Sequence, residues 1–256
     1  MLEFFGKAAN RALARRGLSR EDFAYHVLPG FLLDIIDRYL RVTFEGAHFL
    51  PKKGSYIIIA NHSGYMAFDA LMIAYQIHKK KMRVPKIIAH KLWFLRPEIS
   101  VHAHKLNLVP ATFENGLHLV NNGESLILFP EGEEGNFKPT RYRYRLRRFR
   151  RGFVRLALQT GVPIVPIVVI GAEETHITLS QIRWAKELLG IIVPVPLNVV
   201  PLPAKWKIKV LKPIRLKQNL ELAADMAYVT KLTRHIRRDL QHQLSIQVKR
   251  RKKIFL

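Results

Sequence analysis

The sequence of 256 residues has no cysteine, and its acidic residues are few. The missing cysteines exclude disulfide bonds, thiolate zinc sites and a thiol nucleophile. Only 19 Asp and Glu stand against 43 Lys and Arg, which gives a formal net charge of +24. An excess of this size indicates an anionic partner, for which nucleic acid, an anionic bilayer and a phosphorylated substrate are the candidates.

Long apolar runs are also absent. The longest uncharged stretch, 188–204, contains four prolines that would interrupt a spanning helix, so no transmembrane helix is predicted. The N-terminal residues lack the apolar core and cleavage site of a signal peptide. Residues 2–16 and 26–42 instead have the composition of helices that lie in a membrane interface. For residues 26–42, packing on the protein's own core is the alternative.

Apolar β-branched runs alternate with helical patterns along most of the chain, and 48% of the residues are hydrophobic. This alternation is typical of a single α/β domain with a largely parallel or mixed central sheet flanked by helices. We expect an N-terminal helical extension at 1–40, an α/β core at 41–215 and a C-terminal helix with a basic tail at 216–256. The predicted strands are 56–60, 86–89, 125–129, 162–171 and 205–214, and the predicted helices are 67–78, 114–120, 151–160, 176–190 and 219–248.

Asn61 and His62 follow the first predicted strand, and Asp69 lies near the start of the next helix. Open α/β sheets bind their ligands at the carboxyl ends of strands. Histidine is suited to remove a proton near neutral pH, and a carboxylate on its other ring nitrogen stabilises the charged form. Positions seven apart in one helix lie about 10 Å apart along its axis. We therefore expect His62 outside the helix, after a turn supplied by Gly64. A capping or core histidine is the alternative.

Two later strands also end in polar or small residues. Glu131 lies in a Pro-Glu-Gly turn after one strand, and Gly171 opens the segment GAEE after another. Three such strand ends favour one shared site. Glu131 is predicted to orient an acceptor group or to balance nearby arginines, and an ordinary turn is the alternative. His102 and His104 are predicted on a strand or loop without carboxylates beside them, so no metal site is predicted.

Four blocks together resemble a known family. ANHSGYMAFD, NLVPATFENG, LFPEG and GVPIVPIVVIGAEE occur in the order and at about the spacing seen in the lysophospholipid acyltransferase superfamily, which contains the glycerolipid acyltransferases related to lysophosphatidate acyltransferase. The chain is similar to a subgroup with six residues between the motif His and Asp. The resemblance implies transfer of a fatty acyl group from acyl-CoA or acyl carrier protein to a hydroxyl of a lysophospholipid or related lipid. It implies His62 as general base, Asp69 as its partner and no cofactor besides the acyl donor.

The resemblance also implies an acceptor site, although the second block lacks the arginine that commonly grips the acceptor phosphate. Arg83, Lys91 and Arg96 are the bases that we consider as its replacement. The predicted substrate-binding residues are Asn61, Ser63, Gly64, Asn115, Glu131, Gly132, Arg141 and Arg143.

The densest basic run is RYRYRLRRFRR, at 141–151, directly after the Glu131 block. Each base near an anionic membrane adds roughly 1 kcal/mol of attraction. We therefore predict a peripheral protein on the cytoplasmic side of a membrane, with anionic lipid, a lipid acceptor and the acyl donor as partners. A solvated basic face is one alternative. Nucleic acid, with arginines on phosphates and tyrosines on bases, is a less favoured one. A non-catalytic lipid-binding relative is the third alternative, because the spacing of His62 and Asp69 is altered.

Overall fold

The computed structural model describes residues 17, 19–62, 68–251 and 254–255. The chain divides into two compact units, Met1–Tyr39 and Leu40–Leu256. In the first unit a short helix, Arg20–Asp22, leads into a π-helix, Phe23–Val27, and then into α1, Leu28–Tyr39. The interfacial segment predicted at 2–16 lies outside the described residues. In α1 the large apolar side chains of Phe31, Leu32 and Ile35 are exposed.

The second unit is built on a seven-stranded sheet with the order β1-β9-β6-β2-β5-β3-β4. The strands β6, β2, β5, β3 and β4 run parallel to one another, whereas β9 runs antiparallel to β6 and parallel to β1. The expected α/β fold with a mixed central sheet is thus confirmed. The strands among the described residues are β1 Thr43–Glu45, β2 Ile57–Ala60, β3 Lys86–Ala89, β4 Leu108–Pro110, β5 Leu126–Leu128, β6 Ile164–Ile170, β7 Thr178–Ile182, β8 Val193–Pro196 and β9 Lys207–Val210.

Helices connect most of the parallel strands, and their ends carry recognisable signals. Thr112 caps one helix by accepting the N–H of Asn115, and Gly161 ends another with a positive φ of 72°. The longer helices of this unit are α2 Phe68–Lys79, α3 Pro97–Lys105, α4 Phe113–Asn121, α5 Gly152–Thr160 and α6 Met226–Lys249. The short helices are Ala47–Phe49, Lys91–Phe94, Glu133–Asn136, Thr140–Tyr142, Ala172–Thr175, Ala185–Leu189 and Leu220–Ala224.

Residues 176–190 are not the helix that their pattern predicts. Strand β7 pairs antiparallel with β8 in a separate two-stranded sheet, and only Ala185–Leu189 is helical. The partner strand carries Pro194 and Pro196, which fit a small sheet of two edge strands because each edge leaves backbone groups without a ladder partner. The strand assignment therefore depends on a partner that the local pattern does not reveal.

Two smaller corrections concern helices. The predicted helix at 219–248 is interrupted at Asp225, whose carboxylate accepts the N–H groups of Ala227 and Tyr228 and so starts α6 afresh. His102 and His104 lie in helix α3, not on a strand or loop, because Pro97 opens a helix at this point.

The core lies around the central strands. Strands β2 and β6 are buried along their whole length, as expected for parallel strands covered on both faces. Helix α6 covers one face with Val229, Ile236, Leu240 and Leu244, which share a helical face. None of the helices in the described residues is long and apolar enough to cross a bilayer.

Candidate active site

His62 and Asp69 meet at the carboxyl end of β2. The Nδ1 atom of His62 lies 2.7 Å from Oδ2 of Asp69, whose side chain is fully buried. Helix α2 begins at Phe68, after the turn that was expected to contain Gly64, so His62 stands outside the helix. Ser63 and Gly64 themselves lie outside the described residues. The altered spacing therefore does not separate the two side chains.

The contacts of His62 fix which ring nitrogen carries the proton. Because Nδ1 faces a carboxylate, it holds the hydrogen, and Nε2 keeps its lone pair. The ring stacks on Phe129, with centroids 4.1 Å apart and an interplanar angle of 21°. The other oxygen of Asp69 accepts the N–H of Ala70 at 2.8 Å, which holds the carboxylate at the first turn of α2. The bond to Asp69 and the contact with Phe129 together fix the orientation of the ring.

Glu131 makes a hydrogen bond with the backbone of the histidine. Its Oε1 accepts the backbone N–H of His62 at 3.0 Å, and its Oε2 accepts the backbone N–H of Arg147 at 2.6 Å. The side chain is buried, and a Cβ on Gly135 would come within 2.4 Å of the Cβ of Glu131. Both carboxylate oxygens are thus occupied by the protein's own backbone. That Glu131 touches the acceptor stays a prediction, and the bonds seen are positioning bonds.

A buried charged cluster lies beside Glu131. The Nζ atom of Lys138 is 3.7 Å from Oε2 of Glu131 and 3.1 Å from Oε1 of Glu173. The other oxygen of Glu173 accepts the N–H of Tyr144 at 2.8 Å. The pKa of Glu173 is raised to about 7, mainly because burial disfavours its charged form; within that value the charge of Lys138 lowers the pKa and the charge of Glu131 raises it. One lysine thus serves two buried carboxylates.

A large apolar cavity of about 740 Å³ opens beside His62. This volume lies in the ordinary range of small-molecule sites, roughly 300–1,000 Å³. Its wall comes from strands β3, β4 and β5 and from helices α3, α4 and α5, and is mainly aliphatic and aromatic. The lining also contains a small number of polar groups. They include His62, His90, Glu133, Asn136 and Arg150.

Arg150 and His90 were missed by the sequence reasoning. Arg150 lines the cavity, and its guanidinium would lie 3.3 Å from a Cβ on Gly132, which has a φ of +59°. His90 follows β3 just as His62 follows β2, a signal that the sequence did contain. Burial lowers the pKa of His90, and its Nδ1 accepts the N–H of Leu92 at 3.4 Å. Its Nε2 therefore carries the hydrogen and does not offer a second base.

Two predicted binding residues have structural bonds. The amide of Asn61 is fully buried and makes two hydrogen bonds with the backbone of Val169, at 2.9 and 2.7 Å, which join β2 to β6. The side chain of Asn115 donates to the carbonyl of Pro110 at 3.1 Å in the first turn of α4. Neither bond leaves the protein, so a substrate role for these residues stays a prediction.

The predicted bases do not line the cavity, as far as its described lining extends. Arg83 makes an ion pair with Glu124 at 2.6 Å. The remaining predicted bases, Arg141, Arg143, Lys91 and Arg96, are exposed.

The basic run alternates between solvent and core. Tyr144, Leu146 and Phe149 are buried, and the arginines between them point outward or lie partly covered. The run is held against α6, because the side-chain amide of Gln241 bonds to the backbone of both Tyr144 and Leu146. This alternation of buried and outward side chains along the run places Arg150 at the cavity.

Comparison with known proteins places the chain in a family. A family model described as "Acyltransferase" matches residues 41–170, which is half of the chain. An uncharacterised protein of Mycobacterium tuberculosis is 34% identical over 230 residues, covering 85% of this chain and 64% of the relative. One from Mycobacterium leprae is 31% identical over 242 residues, covering 90% and 66%. This chain therefore spans about two thirds of the length of these relatives.

Relatives with a stated activity are more distant. The 1-acyl-sn-glycerol-3-phosphate acyltransferase of Cocos nucifera is 29% identical over 167 residues, covering 62% of this chain and 47% of the relative. The crystal structure of the 1-acyl-sn-glycerophosphate acyltransferase PlsC from Thermotoga maritima superimposes with a TM-score of 0.56 at 18% identity. The superposition covers 98% of this chain and 95% of PlsC. At this identity the likeness shows a shared fold and nothing more. The chain thus belongs to the acyltransferase family, within the superfamily related to lysophosphatidate acyltransferase.

Proposed function

We propose that this protein transfers a fatty acyl group from a thioester donor, acyl-CoA or acyl carrier protein, to a hydroxyl of a lysophospholipid-like acceptor. The observation that carries the proposal is the bond of 2.7 Å between His62 and Asp69, with His62 lining an apolar cavity. A mainly apolar wall with a few polar groups suits a lipid, which has a polar headgroup and a long apolar part.

In the proposed reaction, Nε2 of His62 removes the proton of the acceptor hydroxyl as its oxygen attacks the thioester carbonyl. The new ester C–O bond forms, the C–S bond breaks, and the histidine returns the proton to the leaving thiolate. Asp69 is the group that holds the ring and stabilises the imidazolium between these two transfers. The chemistry needs no metal, and His62 supplies both the base and the acid.

Arg150 is the residue that we assign to the acceptor's anionic group. Its guanidinium lies beside Gly132, and its backbone N–H donates to the carbonyl of Pro130 at 2.8 Å, next to the phenylalanine that stacks on His62. A headgroup beside the reacting hydroxyl is therefore within reach of Arg150. A guanidinium binds phosphate or carboxylate through paired N–H groups. It replaces, from another part of the chain, the arginine that the second sequence block lacks.

Two observations weigh against the alternatives. A nucleic-acid role asks the tyrosines of the basic run to stack on bases, but Tyr144 is buried and Tyr142 already lies under Arg147 and Arg141. A non-catalytic role was suggested by the altered spacing of His62 and Asp69, and this spacing still brings them within hydrogen-bond distance.

The test is acyl transfer by the purified full chain, incubated with labelled thioester donors and a mixture of lysolipids, with products identified by mass spectrometry. We expect His62→Ala to lower turnover by about 10²–10⁴-fold, the usual contribution of a general base. His48→Ala is the matched control, because the ring of His48 also contacts a phenylalanine, with centroids 4.1 Å apart, but His48 follows β1, which runs opposite to β2 and so ends at the other end of the strands. Turnover retained in His62→Ala, or lost equally in His48→Ala, contradicts the mechanism.

A further inference from the structure

The cavity wall continues onto the outer surface of the protein. Trp93, Ile99 and Leu106 line the cavity and are also exposed to solvent, by 41%, 41% and 37%. Leu95, which lies between Trp93 and Ile99 in the chain, is 63% exposed. We call these four residues the portal surface. They belong to the short helix Lys91–Phe94, to α3 and to the residues that directly follow each.

A helical face that is apolar on both its cavity side and its solvent side needs an apolar environment. Single exposed apolar residues are ordinary, but here the exposed groups border an opening with an apolar lining. A lipid acyl chain that entered this opening through water would have to leave the bilayer completely. It would keep its apolar surroundings throughout if the portal surface lay in the membrane interface.

The charges around the portal surface identify the kind of membrane. Lys91 and Arg96 are exposed on the two sides of Trp93 and Leu95, and Glu98 is the acidic residue in this part of α3. Exposed bases beside an indole and aliphatic groups are typical of proteins that lie on anionic bilayers, where tryptophan sits at the headgroup level.

We propose that the portal surface docks on a bilayer containing anionic lipid, so that the cavity opens into the membrane interface. The proposal rests on the proposed function in one respect, the lipid nature of the cavity's ligand. It differs from the sequence-based expectation, which placed membrane contact on residues 2–16 and 26–42 and on the basic run 141–151.

The experiment measures whether Trp93 enters the bilayer. The Trp184→Phe variant of the full chain retains Trp93 and Trp206, and the double variant Trp93→Phe/Trp184→Phe retains only Trp206, which is 2% exposed. Each is mixed with vesicles of phosphatidylcholine and phosphatidylglycerol, with or without bromine on the acyl chains. We expect bromine to quench the single variant by up to about half, since one of two emitters is at the interface, and to leave the double variant unchanged.

Charge variants provide the second measurement. Lys91→Gln/Arg96→Gln removes two bases beside the portal surface and is expected to weaken partition onto the anionic vesicles by about 30-fold, at roughly fivefold for each base. Lys52→Gln/Lys53→Gln removes two exposed lysines just before β2, at the amino end of the strand and not at the carboxyl end where His62 lies, and is expected to leave partition unchanged.

Absence of bromine quenching in the Trp184→Phe variant overturns the proposal, whether the protein then ignores the vesicles or binds them through another surface. Equal effects of the two charge variants overturn it as well. Quenching in a protein without acyl transfer leaves membrane docking in place while the proposed function fails. Acyl transfer without quenching overturns docking through the portal surface and leaves the proposed function in place.

Discussion

Replacing Glu131 by glutamine tests whether this residue positions the histidine or binds the acceptor. Glu131→Gln preserves shape and keeps one carbonyl oxygen. That oxygen can accept the N–H of either His62 or Arg147, and the other N–H then faces an amide NH₂ instead of an acceptor. The substitution therefore removes one buried bond and reduces the other from a charged to a neutral one.

The expected cost follows from these two bonds. An unsatisfied buried N–H costs about 1–3 kcal/mol, and the retained bond loses about 1 kcal/mol when its acceptor is no longer charged. Lys138 keeps Glu173 at 3.1 Å, so the lysine is not left alone. The free energy of unfolding should therefore fall by about 3 kcal/mol. Because the backbone of His62 loses its anchor, we also expect kcat to fall more than KM rises.

Urea unfolding and steady-state kinetics measure the two effects. Glu134→Gln is the control, since Glu134 lies three residues away and makes a partly exposed ion pair with Arg183 at 3.0 Å. Such pairs contribute about 0–1 kcal/mol. If Glu131→Gln were as stable as the control and raised only KM for the acceptor, the positioning role would be refuted and direct acceptor binding supported.

Three further predictions concern the partner, the anion site and the buried cluster. Asp69→Asn should lower kcat by about 10³-fold or more, as loss of the carboxylate partner does in other histidine-dependent sites, with little change in KM. Arg150→Gln should raise KM for an anionic lysolipid about tenfold, the value of one charge-assisted contact, and leave a neutral monoacylglycerol unaffected. Because the pKa of Glu173 is raised, between about pH 4.5 and 7 this carboxyl holds a proton in the native protein but not in the unfolded chain. The contribution of this proton to the free energy of unfolding is therefore fully present below pH 4.5 and is lost as the pH rises through 7. Glu173→Gln should abolish this dependence, which amounts to about 3 kcal/mol and is measured by urea unfolding at several pH values.

Each of these has a matched comparison. Arg143→Gln, an exposed arginine of the same run, should not change KM, and an equal effect there would remove Arg150 from the anion site. Asp239→Asn, at a partly exposed pair with His235 on α6, is the control for Asp69→Asn. An unchanged kcat in Asp69→Asn contradicts the pairing. A wild-type stability profile that parallels Glu173→Gln from pH 5 to 8 contradicts the raised pKa of Glu173.

The parallel core and the pairing of His62 with Asp69 could be predicted because their signals are local or follow a general rule. Buried β-branched runs identify β2 and β6, and the rule that ligands bind at the carboxyl ends of strands identifies His62. The bond to Asp69 required only that the helix begin late, and it begins at Phe68. In contrast, strand β7 depends on its pairing with β8, which no local period encodes.

The direction of a side chain was the part that the sequence could not supply. Glu131 was expected near His62 and bonds its backbone, but its carboxylate turns to two backbone N–H groups that lie 69 and 16 residues away in sequence. Arg150 reaches the cavity because Tyr144 and Phe149 are buried, and that phase is set by contact with α6. Both outcomes depend on tertiary contacts between distant segments, which a motif does not contain.

Glu131 holds His62 through the main chain and leaves the imidazole side chain out of the bond. Any residue other than proline at position 62 offers the same N–H, so a change of side chain there keeps this anchor. His62→Asn is therefore a candidate for a catalytically inactive variant that keeps its binding site. Crystals of such a variant, soaked with a lysolipid and a thioester together, would trap both reactants side by side before the acyl group moves.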